Sequence, residues 1–319
     1  MSGLPASACS LSTAAVGEPA YGSAAPAQVW VALEQPGPWG REALEQSHLD
    51  AGLGRTLRAM VSAAGGRMAL LRSARKHPDL KPRPEPFVAI ASAVEGRSWL
   101  LTGHLSGPDA LRDMDFGALA AADLDGVRAS LPDVEESATP LLLVCTNGRR
   151  DVCCAVFGRP LAHDVARQRP GQVWETSHTG GHRFSPTAVL LPWGFTFARL
   201  DARLGVATLD EAPHGRLPRD VLGPQHDRGR SSLPPPGQAA ESAVRAELAE
   251  TGIDALTTTV AASGSAAWRA QVQHTDGRTW AGAVRRGAPT ALRAPSCGRT
   301  PEPYTAYEVD LLPAGAVAS

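Results

Sequence analysis

Hydrophobic positions along the chain fall into short runs separated by polar, Gly-rich and Pro-rich stretches. Gln28–Glu34 (QVWVALE) is apolar and β-branched enough to predict a strand, and the loop Gln35–Gly40 follows it. Between about Leu49 and Ala63, residues Leu53, Leu57, Met60 and Val61 recur at helical spacing and share a face. Met68–Leu71, Phe87–Val94 and Ser98–Leu105 read as three more strands. The last two are joined by a hairpin turn at Glu95-Gly96-Arg97, and a Pro-rich loop spans His77–Pro86.

A second series begins near Pro140. Leu141–Val144 is wholly apolar, the mark of a central strand covered on both faces. A polar loop leads from it into a predicted helix from about Asp151 to Ala166. Val173–Thr176 is a further strand, His178–His182 a Gly-containing loop, and Thr187–Pro192 opens an apolar run that continues toward Leu200. Both series open with strand, loop and helix and return to strands, an order that points to an α/β fold and admits an internal duplication. Beyond them, Gly223–Gly237 reads as a linker rich in Pro, Gly and Ser. A helix over Ala239–Glu250, stopped by Gly252, follows it. Two alternating runs, Ala267–His274 and Arg278–Val284, flank the hairpin signal Thr275-Asp276-Gly277, and Tyr304–Leu312 adds a last strand.

Composition narrows the function classes. The chain has 319 residues, 43% hydrophobic and 20% charged, with a formal net charge of −1, as expected of a globular protein with a packed core. That balance gives no case for nucleic acid or an acidic membrane as partner. No run approaches the roughly 18 apolar residues of a membrane span, and the N-terminal residues lack the basic start and apolar block of a secretion signal. The odd count of five cysteines, three of them within ten residues, fits a reducing cytoplasm and a metal or redox site better than a disulfide framework.

The chemistry concentrates in two short stretches. In CTNGRRDVCC, Cys145 ends the buried strand and Cys154 lies about one turn into the next helix, so the loop can fold back and bring the two sulfurs together. Arg149 and Arg150 place positive charge nearby, which favours thiolates. In HTGGH, two glycines hold His178 and His182 in a loop able to close around a small site. The C-x8-C and H-x3-H pairs supply two thiolates and two neutral imidazoles, a set that suits Zn²⁺ and an iron–sulfur cluster alike.

Cys145–Leu161 (CTNGRRDVCCAVFGRPL), Val173–Phe184 (VWETSHTGGHRF) and Thr187–Trp193 (TAVLLPW) resemble the sucrase/ferredoxin-like proteins, a branch of the thioredoxin-like [2Fe–2S] ferredoxins that includes the actin-patches-distal proteins of eukaryotes. The resemblance is strongest over 140–200. It implies a thioredoxin-like ferredoxin fold and a cluster held by Cys145, Cys154, His178 and His182; the order of elements adds the expectation of two related α/β units and a small α+β C-terminal segment. Arg150-Asp151 matches the family's Arg-Asp pair. Spacing places Cys154, rather than the adjoining Cys153, at the second ligand position. Arg150, Asp151 and Cys153 are expected to surround the ligands, whereas Arg149 and Arg183 read as solvated charges. The implied organisation is an N-terminal α/β domain without a cluster over 1–135, a ferredoxin domain over 136–222, a linker over 223–237 and a C-terminal segment over 238–319. The implied function is electron transfer or redox sensing with proton-coupled chemistry, exchanged with donor and acceptor proteins that the sequence does not identify.

Two rival readings are a structural zinc protein and a thiol-dependent enzyme with His178 as base for Cys145 or Cys154. A glycosidase would need paired carboxyls across a cleft, and the candidates Glu34, Glu175 and Asp201 are scattered. Cys9 and Cys297, near opposite ends of the chain, read as free thiols that the fold could bring together. Trp174 and Trp193 flank the His loop as packing or shielding residues, and His163 is the remaining histidine of interest.

Overall fold

The computed structural model describes residues 4–75 and 81–313; positions 77–80 of the loop expected over 77–86 lie outside that range. A short helix α1 (Cys9–Ala14) precedes strand β1 (Val29–Glu34), helices α2 (Ala43–Gln46) and α3 (Ala51–Ala63), and strands β2 (Gly66–Ser73), β3 (Phe87–Ser92) and β4 (Trp99–His104). Two short helices, α4 (Phe116–Ala120) and α5 (Leu124–Ser130), lead to β5 (Val134–Glu136). Then come β6 (Leu141–Cys145), α6 (Val152–Gln168), β7 (Val173–Thr176), β8 (Ala188–Leu191), β9 (Phe195–Phe197), α7 (Ala202–Glu211) and β10 (Asp227–Arg230). The chain ends with α8 (Pro235–Leu248) and strands β11 (Leu256–Ala262), β12 (Ala267–His274), β13 (Thr279–Arg286) and β14 (Tyr307–Pro313).

Ten strands form one mixed sheet in the order β10-β9-β8-β6-β7-β2-β1-β3-β4-β5. The order is the same read outward from the middle in either direction. β1 runs parallel to β2 and antiparallel to β3, which pairs antiparallel with β4. In the same way β6 runs parallel to β7 and antiparallel to β8, which pairs antiparallel with β9. The fold is thus mixed α/β and built from two units of one topology. They join where β2 meets β7 antiparallel through Leu71↔Thr176, Arg72↔Glu175 and Ser73↔Trp174.

Alternation on the strands builds the core. Val29, Val31 and Leu33 of β1 pack with Leu53, Leu57 and Val61 of α3, the face read from their spacing. On β6, Leu142 and Val144 meet Leu161 and Val165 of α6, while Leu141 and Leu143 join Trp30, Val189 and Leu191 on the opposite face. β6 is therefore buried on both sides, as an uninterrupted apolar run requires. The C-terminal segment lays α8 on the four-stranded antiparallel sheet β11-β12-β13-β14, with Val244, Val272, Trp280 and Val284 in its core.

The apolar run from Thr187 toward Leu200 is a hairpin, β8 and β9, turning at Trp193-Gly194. Two expectations need correction. The segment 223–237 is not a loose linker: β10 pairs with β9, and α8 starts at Pro235. Pro235 and Pro236 occupy the first helical turn, where the missing N–H would have had no intrahelical acceptor anyway. α8 ends at Ala249 in the left-handed conformation, earlier than the expected stop at Gly252. Among the described residues no helix is long and apolar enough to cross a membrane.

Candidate metal centre

The two chemical stretches meet at the end of β6 because of how the second unit is wired. The Cys145 N–H donates to the Thr187 carbonyl and the Thr146 N–H to the Thr176 carbonyl, which fixes the strand's last residue between β7 and β8. The Asp151 carboxylate accepts from the Cys153 N–H at 2.9 Å and caps α6, so Cys153 and Cys154 stand on that helix's first turn, where the macrodipole favours thiolates. α6 then crosses β6 closely. A Cβ at Gly158 would lie 2.2 Å from the Cys145 carbonyl oxygen, so only glycine permits the approach.

The His loop is held at both ends. Ser177 exchanges hydrogen bonds with the Leu70 backbone, and the Thr179 and Thr187 hydroxyls lie 2.9 Å apart. Between them Gly181 adopts φ +67°, and a Cβ there would collide with the Arg228 guanidinium. Arg228, fully buried on β10, donates to the Gly180 carbonyl at 3.1 Å and to the Ser23 hydroxyl at 3.0 Å. No local sequence signal marks Arg228 for this role, since it lies 48 residues from Gly180 in a segment that reads as a linker.

The four expected residues come together. Ligand atoms of Cys145, His178 and His182 lie within 4.8 Å of one another. The Cys154 Sγ is 3.2 Å from His182 Nδ1, and its thiol is hydrogen-bonded to Cys145. The two imidazoles stack with centroids 4.7 Å apart. Both sulfurs are buried and His182 is 9% exposed; His178 is half-buried, beside a cavity of about 200 Å³ that Arg41, Arg67 and Arg150 help to line. The bond between the sulfurs places one proton on Cys154, raising its thiol well above the ordinary range, and draws Cys145 well below it, with His178 adding to the lowering. Burial pushes His182 down to about 4, so its ring is neutral at pH 7. The set therefore offers sulfur and uncharged imidazole nitrogen, the donors that soft and borderline metals take.

The surrounding residues divide. Cys153 turns away from this set and meets Cys9 and Cys297. Asp151 is buried, and although burial opposes it, the Cys297 N–H and Ser296 hydroxyl hold its carboxyl below the usual range. Arg150 pairs with Glu42, and Arg149 is exposed. Arg183, expected to be solvated, is buried and pairs with Glu18 at 2.9 Å, a partner too distant in sequence to be foreseen. Trp174 stacks on Phe87 with centroids 4.6 Å apart, and His163 is exposed. The three scattered carboxylates have structural partners. Glu175 pairs with Arg72, Glu34 accepts from the Phe87 N–H, and Asp201 caps α7.

Neither a curated protein nor a solved structure matches the chain. The sucrase/ferredoxin-like family pattern matches residues 20–204, more than half of the sequence and all of the stretch that carries Cys145, Cys154, His178 and His182. With that match, the chain belongs to the sucrase/ferredoxin-like family.

Proposed function

We propose that Cys145, Cys154, His178 and His182 ligate a [2Fe–2S] cluster and that the protein carries electrons or senses redox state in a reducing compartment such as the cytoplasm. The observation that carries this reading is the convergence of two buried sulfurs and two stacked imidazoles at the strand–helix junction of the second unit. When bound, such a cluster supplies a one-electron couple. Two thiolates and two neutral rings contribute only two negative charges, half those of an all-cysteine site, which favours a potential above that of plant-type ferredoxins. The ring nitrogens that do not face metal are available to hold a proton, so the potential is expected to depend on pH. His178, the half-buried member of the set, is the natural exit toward a redox partner. On this reading residues 136–222 form the cluster-bearing domain, and 1–135 act as scaffold or docking surface.

The test is to purify the full chain anaerobically and measure iron, acid-labile sulfide and visible absorption before and after dithionite. Two irons and two sulfides per chain, with bands that bleach on reduction, are expected. Colourless protein with zinc in their place would establish the structural-zinc reading instead. Replacing His178 or His182 with Cys should keep the cluster and lower its potential; an unchanged spectrum and potential would remove that residue from the ligand set.

A further inference from the structure

The chain has five cysteines, and the three outside the proposed cluster set also converge. Cys9 on α1, Cys153 on α6 and Cys297 near the C-terminus lie 144 to 288 residues apart from one another. Their sulfurs are in mutual contact: Cys9–Cys153 3.6 Å, Cys9–Cys297 3.5 Å and Cys153–Cys297 3.2 Å. The Cys9 thiol donates to Asp151 Oδ2 at 3.5 Å, and one ligand atom from each of the four residues lies within 4.8 Å of every other. Cys9, Cys153 and Asp151 are buried.

We infer that Cys9, Cys153, Cys297 and Asp151 form a second metal site, distinct from the first, that takes a single thiophilic d¹⁰ cation, zinc foremost. Donors about 2.3 Å from a tetrahedral zinc stand about 3.8 Å apart, so the three sulfurs need open by only about 0.2 to 0.6 Å. Three sulfurs and one carboxylate oxygen fill the four positions of a closed structural site. Binding forms three S–Zn bonds and one O–Zn bond and releases to solvent the protons that the thiols still carry, with no change of oxidation state. Zinc there fastens α1 and the 296–297 segment to the first turn of α6. Cys9 and Cys297 both fall outside the stretch matched by the family, so the site does not follow from membership. It also stands whether or not the first site holds iron.

The test is zinc and iron content, measured together on the full chain. Wild-type protein should carry about one zinc beside its iron. Cys9→Ser and Cys297→Ser should each weaken zinc binding at least ten-fold in competition with a chromophoric chelator while leaving iron and sulfide unchanged. Cys145→Ser should lose iron and keep that zinc. If the first site takes zinc as well, the wild type will hold two and Cys297→Ser one, which sustains this site and removes the cluster. Because serine variants can misfold, the wild type is also titrated with Co²⁺ after iron loading. Intense sulfur-to-cobalt charge-transfer absorption is expected, and it should fall by about a third in folded Cys297→Ser. Zinc content identical in wild type and both serine variants, or no such absorption with cobalt, would overturn the inference.

Discussion

The two halves of the ten-stranded sheet share a topology, yet among the described residues only one brings a cysteine and two histidines together. β1 and β6 occupy equivalent places, each followed by a helix capped by an aspartate: Asp50 accepts from the Leu53 N–H at 2.7 Å as Asp151 does from Cys153. β6 ends in Cys145, and β1 ends in Glu34, whose carboxylate accepts from the Phe87 N–H. The first unit buries few charged side chains, Glu34 and Arg72 at its strand ends, whereas the second buries Asp227, Arg228 and Arg230 together on its outer strand β10. A shared framework thus leaves function to the residues at strand ends and in the loops that follow.

The largest effect expected from breaking this arrangement lies at the seam. Arg72 pairs with Glu175 at 2.7 Å, lies over the Trp39 ring at 4.2 Å and reaches the loop after Cys145 through Thr146. Arg72→Met strands the buried Glu175 charge and should cost about 3–5 kcal/mol in chemical denaturation. A loss below about 1 kcal/mol would mean that the pair does not hold the units together.

The charged edge of the second unit makes a smaller, pH-dependent difference. Burial lifts the Asp227 carboxyl from 3.8 to about 6, although Ser242 and the Gly229 N–H favour its ionised form. The folded state therefore binds this proton more tightly than the unfolded chain. The contribution is fully present below about pH 4 and is lost as pH rises through 6, by up to about 3 kcal/mol. Asp227→Asn should accordingly gain stability over the wild type at pH 7.5 and show little difference at pH 4. A stability difference that does not change with pH would contradict the assignment.

The smallest effect concerns the first unit's cap. Asp50→Ala should cost about 1 kcal/mol, read as a lower melting temperature, and leave metal content untouched. If metal content falls as well, the units are not functionally separate.

Most of this plan is legible in the sequence where physics is local. The α3 face, the doubly covered β6 and the hairpin at Thr275-Asp276-Gly277 follow from periodicity and turn residues. The juxtaposition of Cys145, Cys154, His178 and His182 is legible because two compact motifs carry it. β10 (DRGR) is not, because its buried arginines are compensated by groups far away: Arg228 by Ser23 and Gly180, Arg230 by the ring of Phe195 and by Glu241. Hydropathy marks such a strand as loop. The short α4 and α5 offer too few turns for a periodic signal. The meeting of Cys9, Cys153 and Cys297 depends on how both ends of the chain return to α6.

The cap on α6 has a consequence for the ends of the polypeptide. Asp151 is held by the Ser296 hydroxyl at 2.8 Å and the Cys297 N–H at 2.7 Å, besides the helix's own amide. A chain cut short before Ser296 would retain Cys145, Cys154, His178 and His182, yet lose two of the four donors, the Cys9 thiol and the Cys153 N–H being the others, that steady the turn on which Cys154 stands. The tail therefore acts as a remote brace for the sulfur pair, and integrity at one extremity of the molecule is written into the geometry at its middle.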